Sequence, residues 1–229
     1  FETWRERFVM QLDIRNVRTR WINVDKDEQK AKEMVELFEA KEFTDHQRFS
    51  AVTGIEPHEG VIRGEEHYRN CAESHFKILE ETILKDGKPV LILEDDVEIN
   101  AGVFQDNLPI PDDADAVYLG TSHGDGNYEA IDLRNGWTKI QRVFSTHAIL
   151  HLSEKFAQGM VDVGKRWIYE INRPFDVGVA YDLQPHCVVY APKIPFFYQA
   201  DSKNTVNKWE HLTKTPLRTK KPFSLGTIN

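Results

Sequence analysis

PVLILEDDV, residues 89–97, runs a strand-like apolar stretch, Pro89 to Leu93, straight into three carboxylates, Glu94, Asp95 and Asp96. An apolar run of this length without alternation reads as a strand covered on both faces. The acids then stand at its carboxyl end, where open α/β sheets bind ligands. Side chains alternate along a strand, so Glu94 and Asp96 are expected on one face and Asp95 on the other. Two carboxylates on one face hold a hard divalent cation, and such a cation in turn binds a diphosphate. Glu94 and Asp96 are therefore the candidate metal ligands. The plainer alternative is an acidic turn after a core strand, with Asp95 or Asp96 capping a helix. Mutual repulsion among three adjacent acids favours a cation as partner.

Working outward, Tyr68, Cys71, Ala72, Phe76, Leu79 and Ile83 recur at helical spacing between Glu65 and Leu84, and Asp86-Gly87 ends that helix. Further upstream, RTRWINV (18–24) reads as a strand. Asp25 is placed to cap the helix that carries Ala31, Met34, Val35 and Phe38. Phe49 to Val52 is a short strand closed by Thr53-Gly54. Downstream, strands are expected at Ala116–Leu119, Trp137–Arg142, Thr146–Leu152 and His186–Tyr190. Helices are expected from Ser153, as cap, to Val163, and from near Asp176. Strands and helices alternate early and strands crowd later, which predicts an α/β domain with a mixed sheet flanked by helices. The expected organisation is a single domain over 17–202, an unassigned N-terminal extension over 1–16, and a C-terminal tail over 203–229. The tail carries Lys and Arg with little apolar periodicity and is read as either flexible or covering a donor or acceptor.

A chain of 229 residues with 40% apolar and 29% charged residues is long and apolar enough to bury a core. The formal charge of -8 counts against broad nucleic-acid binding. Cys71 and Cys187 give neither a disulfide framework nor a zinc-finger spacing. No apolar run approaches the roughly 20 residues that span a bilayer, and no signal-peptide pattern opens the sequence. These features predict a cytoplasmic protein, peripheral to a membrane at most, with no transmembrane segment. Gly120, Gly124 and Gly126 are not followed by Gly-Lys-Ser/Thr, so no P-loop is present to support phosphoryl transfer.

The run SHFKILEETILKDGKPVLILEDD (74–96) resembles the central signature of glycosyltransferase family 25, which includes lipooligosaccharide and collagen galactosyltransferases. RWINVDKDEQKAKEM (20–34), RFSAVTG (48–54), VYLG (117–120), STHAILHLSEKFA (145–157), PFDVGV (174–179) and YQADS (198–202) resemble further segments of that family, in its order. One departure is Asn70 before Cys71, where the family has Gly. The resemblance implies a GT-A-like (Rossmann-like) fold and a nucleotide-sugar donor, usually a UDP-hexose. It also implies Mn²⁺ or Mg²⁺ held through a DXD-like motif, and inversion at the anomeric carbon. By the same analogy the acceptor is a saccharide hydroxyl, as in lipid-linked lipopolysaccharide biosynthesis. A modified nucleic-acid base or a protein side chain stays open as acceptor, with nucleic acid not favoured, and so does a non-catalytic nucleotide-sugar-binding module.

An inverting displacement needs a general base on the acceptor hydroxyl. Asp176, matched to the family's acidic residue, is the first choice, and His147 the reserve. Asn23, Asp25, Val52, Ser74, His75, Asp95, Gln199, Asp201 and Ser202 are the expected donor-binding residues. Each has a plainer reading beside it. Asp25 and Asp176 are also natural helix caps, and a lone helical histidine is most often a satisfied surface or core residue.

Overall fold

The computed structural model describes residues 9–57, 59, 67–122, 129–132 and 136–199. Twelve strands occur among them: β1 (Val9–Asp13), β2 (Thr19–Asn23), β3 (His46–Ser50), β4 (Val90–Glu94), β5 (Val97–Ile99), β6 (Asn107–Pro111), β7 (Ala116–Tyr118), β8 (Glu129–Asp132), β9 (Trp137–Gln141), β10 (Ala148–His151), β11 (Val189–Pro192) and β12 (Phe197–Gln199). Five helices accompany them: α1 (Glu28–Ala40), α2 (Tyr68–Glu81), α3 (Ile83–Asp86), α4 (Glu154–Arg166) and α5 (Phe175–Gly178).

Eight strands form one mixed sheet in the order β3-β2-β4-β10-β7-β11-β9-β8. β2 runs parallel to β3 and β4, while β10 is antiparallel to both β4 and β7. That polarity brings the carboxyl ends of β2, β3, β4 and β7 and the amino end of β10 to one edge. The strand at 90–94 sits inside the sheet, as its unbroken apolar character requires, and Val90 to Leu93 are fully buried. Alternation sorts the core into two layers. Val90, Ile92, Ile149, Ala116 and Tyr118 face Phe76 and Leu79 of α2, Phe156 and Met160 of α4 and Phe175 of α5. Leu91, Leu93, Ala148, Leu150 and Val117 face Met34 and Phe38 of α1 and Leu108 and Ile110 of β6. The α/β class with a mixed sheet flanked by helices is thus the observed one. No helix among the described residues is long and apolar enough to cross a membrane.

Several boundaries differ from the sequence reading, each for a local reason. Asp27, not Asp25, caps α1, with its carboxylate accepting from Lys30 N at 3.2 Å. Asp25 is already held by Arg48 and Ser50. The helix expected through Leu84 breaks at Thr82 (φ -119°, ψ -102°) and restarts as α3, because Thr82 Oγ1 turns back onto the Ile78 carbonyl. Gly87 ends α3 at φ 70°, the left-handed position that glycine occupies without cost. Ser153 caps α4 as expected, accepting from Phe156 N at 3.1 Å. Asp176 is not a cap residue. Pro174 takes that position, and Asp176 lies in the first turn of α5. The strand expected at His186–Tyr190 begins later, at Val189, after a 3-10 turn over Gln184–His186. Segment 9–16, unassigned from sequence, forms β1 paired with β6 and a 3-10 turn whose Ile14 is buried. Gln199 ends β12, which pairs with β5; Asp201, Ser202 and the tail over 203–229 lie outside the described residues.

His151 occupies the α4 side of β10, fully buried against the Phe156 ring at 5.6 Å, with no hydrogen-bond partner on either ring nitrogen among the described residues. Burial, with the nearby His75 adding to it, pushes its pKa down to about 3. A depressed histidine supports the fold fully above its ordinary value of 6.5 and loses that support as pH falls through the lower value. The melting temperature is expected to drop steeply as pH falls from about 6.5 towards 4. His151→Leu should flatten much of that slope. An unchanged slope in a folded His151→Leu protein would show that acid lability comes from elsewhere.

Candidate active site

The edge where β2, β3 and β4 end opens into a cleft of about 490 Å³. Its apolar wall is Ile22, Val24, Ala51, Val52 and Ile55; Asn23, Asn70, Ser74, Glu94 and Asp95 supply polar groups. A volume of this size suits a small-molecule ligand, and apolar walls with few convergent polar groups are the usual make-up of such sites.

The three carboxylates after β4 do not share one environment. Glu94 continues the alternation of β4 and faces the α2 layer. Its Oε1 accepts from Thr146 Oγ1 at 2.7 Å and lies 3.2 Å from His75 Nε2 and 3.9 Å from Cys71 Sγ. Burial alone would raise the Glu94 pKa. The hydrogen bond and charge of His75, aided by His147 and Thr146, outweigh it and hold the carboxyl below its ordinary value. Asp95 turns to the α1 side, where Lys30 Nζ donates at 3.1 Å and Asn23 Nδ2 at 2.7 Å. Burial opposes the Lys30 charge, but Asp95 more than offsets it and the Lys30 pKa is raised. Asp96 follows in the turn. Its Oδ2 accepts from Gln199 Nε2 at 3.3 Å, while Oδ1 is buried with no hydrogen-bond partner among the described residues. Burial and the Glu94 charge push Asp96 up to about 7, against the pull of Lys30.

Asn23 is fixed from both sides, since Arg48 Nε donates to its Oδ1 at 2.8 Å. Arg48 also reaches Asp25 at 2.7 Å, and Ser50 Oγ donates to the same carboxylate at 2.8 Å. Asp25 is therefore an exposed partner of Arg48 beside the cleft, not part of its wall. Val52 and Ser74 both line the cleft and are joined, with Val52 N donating to Ser74 Oγ at 2.9 Å. His75 sits behind that wall, fully buried against Phe175.

Asp176 accepts from Val177 N at 2.9 Å. Burial raises it to about 6, helped by the Glu94 charge and opposed by the Val177 and Ser145 amides. Ser145 holds φ 103°, a strained value for a residue with a Cβ. Segment Ser145-Thr146-His147 thus touches Asp176 through Ser145, Glu94 through Thr146, and the interior through His147. His147 is fully buried, with Ser145 Oγ against its Nδ1. Burial lowers its pKa to about 4, so it is neutral around pH 7. The other edge of its ring faces Gly120, where a Cβ would stand 2.1 Å from Nε2. Gly120→Ala should therefore displace the His147 ring and cost about 1–3 kcal/mol. Wild-type melting in Gly120→Ala would contradict that close packing.

Sequence reasoning missed Lys30, Arg48, Cys71 and Thr146 as members of this site. Thr146 carried a signal, since it immediately precedes the reserve base. Arg48 becomes a neighbour only through the pairing of β3 with β2.

No family model matches the sequence, and no curated protein does. Among solved structures the chain is similar to a glycosyltransferase involved in the glycosylation of the major capsid of PBCV-1. The two share 13% identity, over 77% of this chain and 93% of that one, at a TM-score of 0.32. That likeness is too distant to carry an argument about this chain.

Proposed function

We propose that the chain transfers a hexose from a nucleoside diphosphate sugar, a UDP-sugar by its resemblance to family 25, to a hydroxyl of a saccharide acceptor. The observation that carries the proposal is Asp96 Oδ1, a carboxylate oxygen buried without a hydrogen-bond partner among the described residues, directly after Glu94 and Asp95 of the cleft lining. A buried carboxyl left unpaired fits a divalent cation. Mn²⁺ or Mg²⁺ bound by Asp96 would neutralise charge on the departing nucleoside diphosphate.

The other residues then fall into roles. Asn23, clamped by Arg48, and the Val52 backbone, tied to Ser74, present the cleft wall to the nucleoside. Asp95 and Lys30 form a charge pair next to the diphosphate position, and Gln199 steadies Asp96. Asp176, raised to about 6, is poised to take the acceptor proton near neutral pH. His147, neutral and closed in by Gly120, is better suited to hold the 145–147 segment than to reach an acceptor.

Thermal denaturation with a panel of nucleoside diphosphate sugars, with Mn²⁺ or with EDTA, tests the reading. One UDP-sugar is expected to stabilise the chain only with the cation; saturation at 100 times Kd adds about 2.7 kcal/mol. Binding without any nucleotide release would favour a non-catalytic module. No stabilisation by any nucleotide sugar would overturn the proposal.

A further inference from the structure

We propose that Cys71, His75 and Glu94 form a second cation site, selective for a thiophilic transition ion such as Zn²⁺. It is separate from the hard-cation position at Asp96 and does not rest on the transfer reading. Among the described residues these three are the one set of potential metal-ligating side chains whose ligand atoms all lie within 4.8 Å of one another.

The geometry follows from two elements. Cys71 and His75 are one helical turn apart on α2, so they project from the same face. Glu94 ends β4 beneath that face. A tetrahedral ion with bonds of about 2.0–2.3 Å to N, O and S sets ligand-to-ligand edges of roughly 3.3–3.6 Å. The observed edges, 3.2 Å from His75 Nε2 to Glu94 Oε1 and 3.9 Å from Cys71 Sγ to the same oxygen, bracket that range. The third edge, from the Cys71 sulfur to the His75 ring nitrogen, is within 4.8 Å.

The electrostatics point the same way. Glu94, Asp176 and Asp96 place negative charge around Cys71 Sγ. Lys30 is spent on Asp95 and Asp96. A dication between Sγ, Nε2 and Oε1 would offset that charge, and the thiol proton would leave to solvent as the thiolate bonds the metal. Thr146 Oγ1, 2.7 Å from Glu94 Oε1, would orient the carboxylate as outer partners of metal ligands do. His75 Nδ1 has no hydrogen-bond partner among the described residues. Cys71 and Glu94 both line the 490 Å³ cleft. The fourth coordination position therefore opens to it and would take water or an oxygen of a bound ligand. Thiolate, imidazole and carboxylate together select zinc-like ions over Mg²⁺.

Cobalt substitution tests this without any activity assay. The chelator-treated full chain should take up one equivalent of Co²⁺ with a near-ultraviolet thiolate-to-cobalt band and tetrahedral visible bands, and Zn²⁺ should abolish both. Cys71→Ser, a near-isosteric change, should remove the near-ultraviolet band while the circular dichroism and melting of the metal-free chain stay close to wild type. Thr146→Val should keep the bands but weaken binding about 10–100-fold. Absence of the thiolate band in folded wild type, or its persistence in Cys71→Ser, would overturn the site. Neither result depends on whether a nucleotide sugar binds.

Discussion

Asp96→Asn is expected to lose about 10²–10³-fold in nucleotide release while becoming more stable than wild type at alkaline pH. Both effects come from one atom. Asp96 Oδ1 is buried and unpaired, and burial together with the Glu94 charge raises the group to about 7. A carboxyl whose folded pKa lies above its ordinary 3.8 contributes stability that is complete below 3.8 and lost as pH rises through 7. Removing the charge should therefore recover stability, on the order of 4 kcal/mol at most, mainly above neutrality. Mn²⁺ should stabilise wild type and not Asp96→Asn, closing the gap between them. Chemical denaturation with and without the cation at two pH values separates these outcomes. A variant less stable than wild type at every pH would show that Asp96 is structurally satisfied and not held in reserve for a cation.

Asp176→Asn carries the second large effect. If Asp176 takes the acceptor proton, turnover should drop by about 10²–10⁴ with donor binding intact. The kcat/KM profile of wild type should rise as pH increases through about 6 and then level off, because only the ionised carboxylate accepts the proton. The variant should lose that limb. Unchanged turnover in Asp176→Asn, with loss in His147→Gln, would transfer the base role to His147 despite its burial.

The part of the fold legible in the sequence is the part with strong periodicity. The apolar run of PVLILEDDV read as a doubly covered strand, and α1, α2 and α4 declared themselves by apolar spacing, α4 also by its Ser153 cap. β5 and β12, each three residues long, were not read from the sequence. The Thr82 break was masked because Ile83 continued the helical pattern. Within the site, alternation correctly separated Glu94 from Asp95. Asp96 lies past the end of β4, in the turn, where strand alternation no longer applies. Cys71 gave no zinc-finger spacing, yet a helical turn and a strand end bring His75 and Glu94 to it, a conjunction set by tertiary packing. Thr146 reaches Glu94 only because β10 lies antiparallel beside β4.

The central claim is that a cation held by Asp96 makes this cleft a site of nucleotide-sugar turnover. Its most direct test is the slow release of UDP from a UDP-hexose by the full chain, followed with Mn²⁺ and again with EDTA. The account predicts release that depends on the cation and on Asp96. Release that continues undiminished in EDTA, or no release from any nucleoside diphosphate sugar in Mn²⁺, would contradict it.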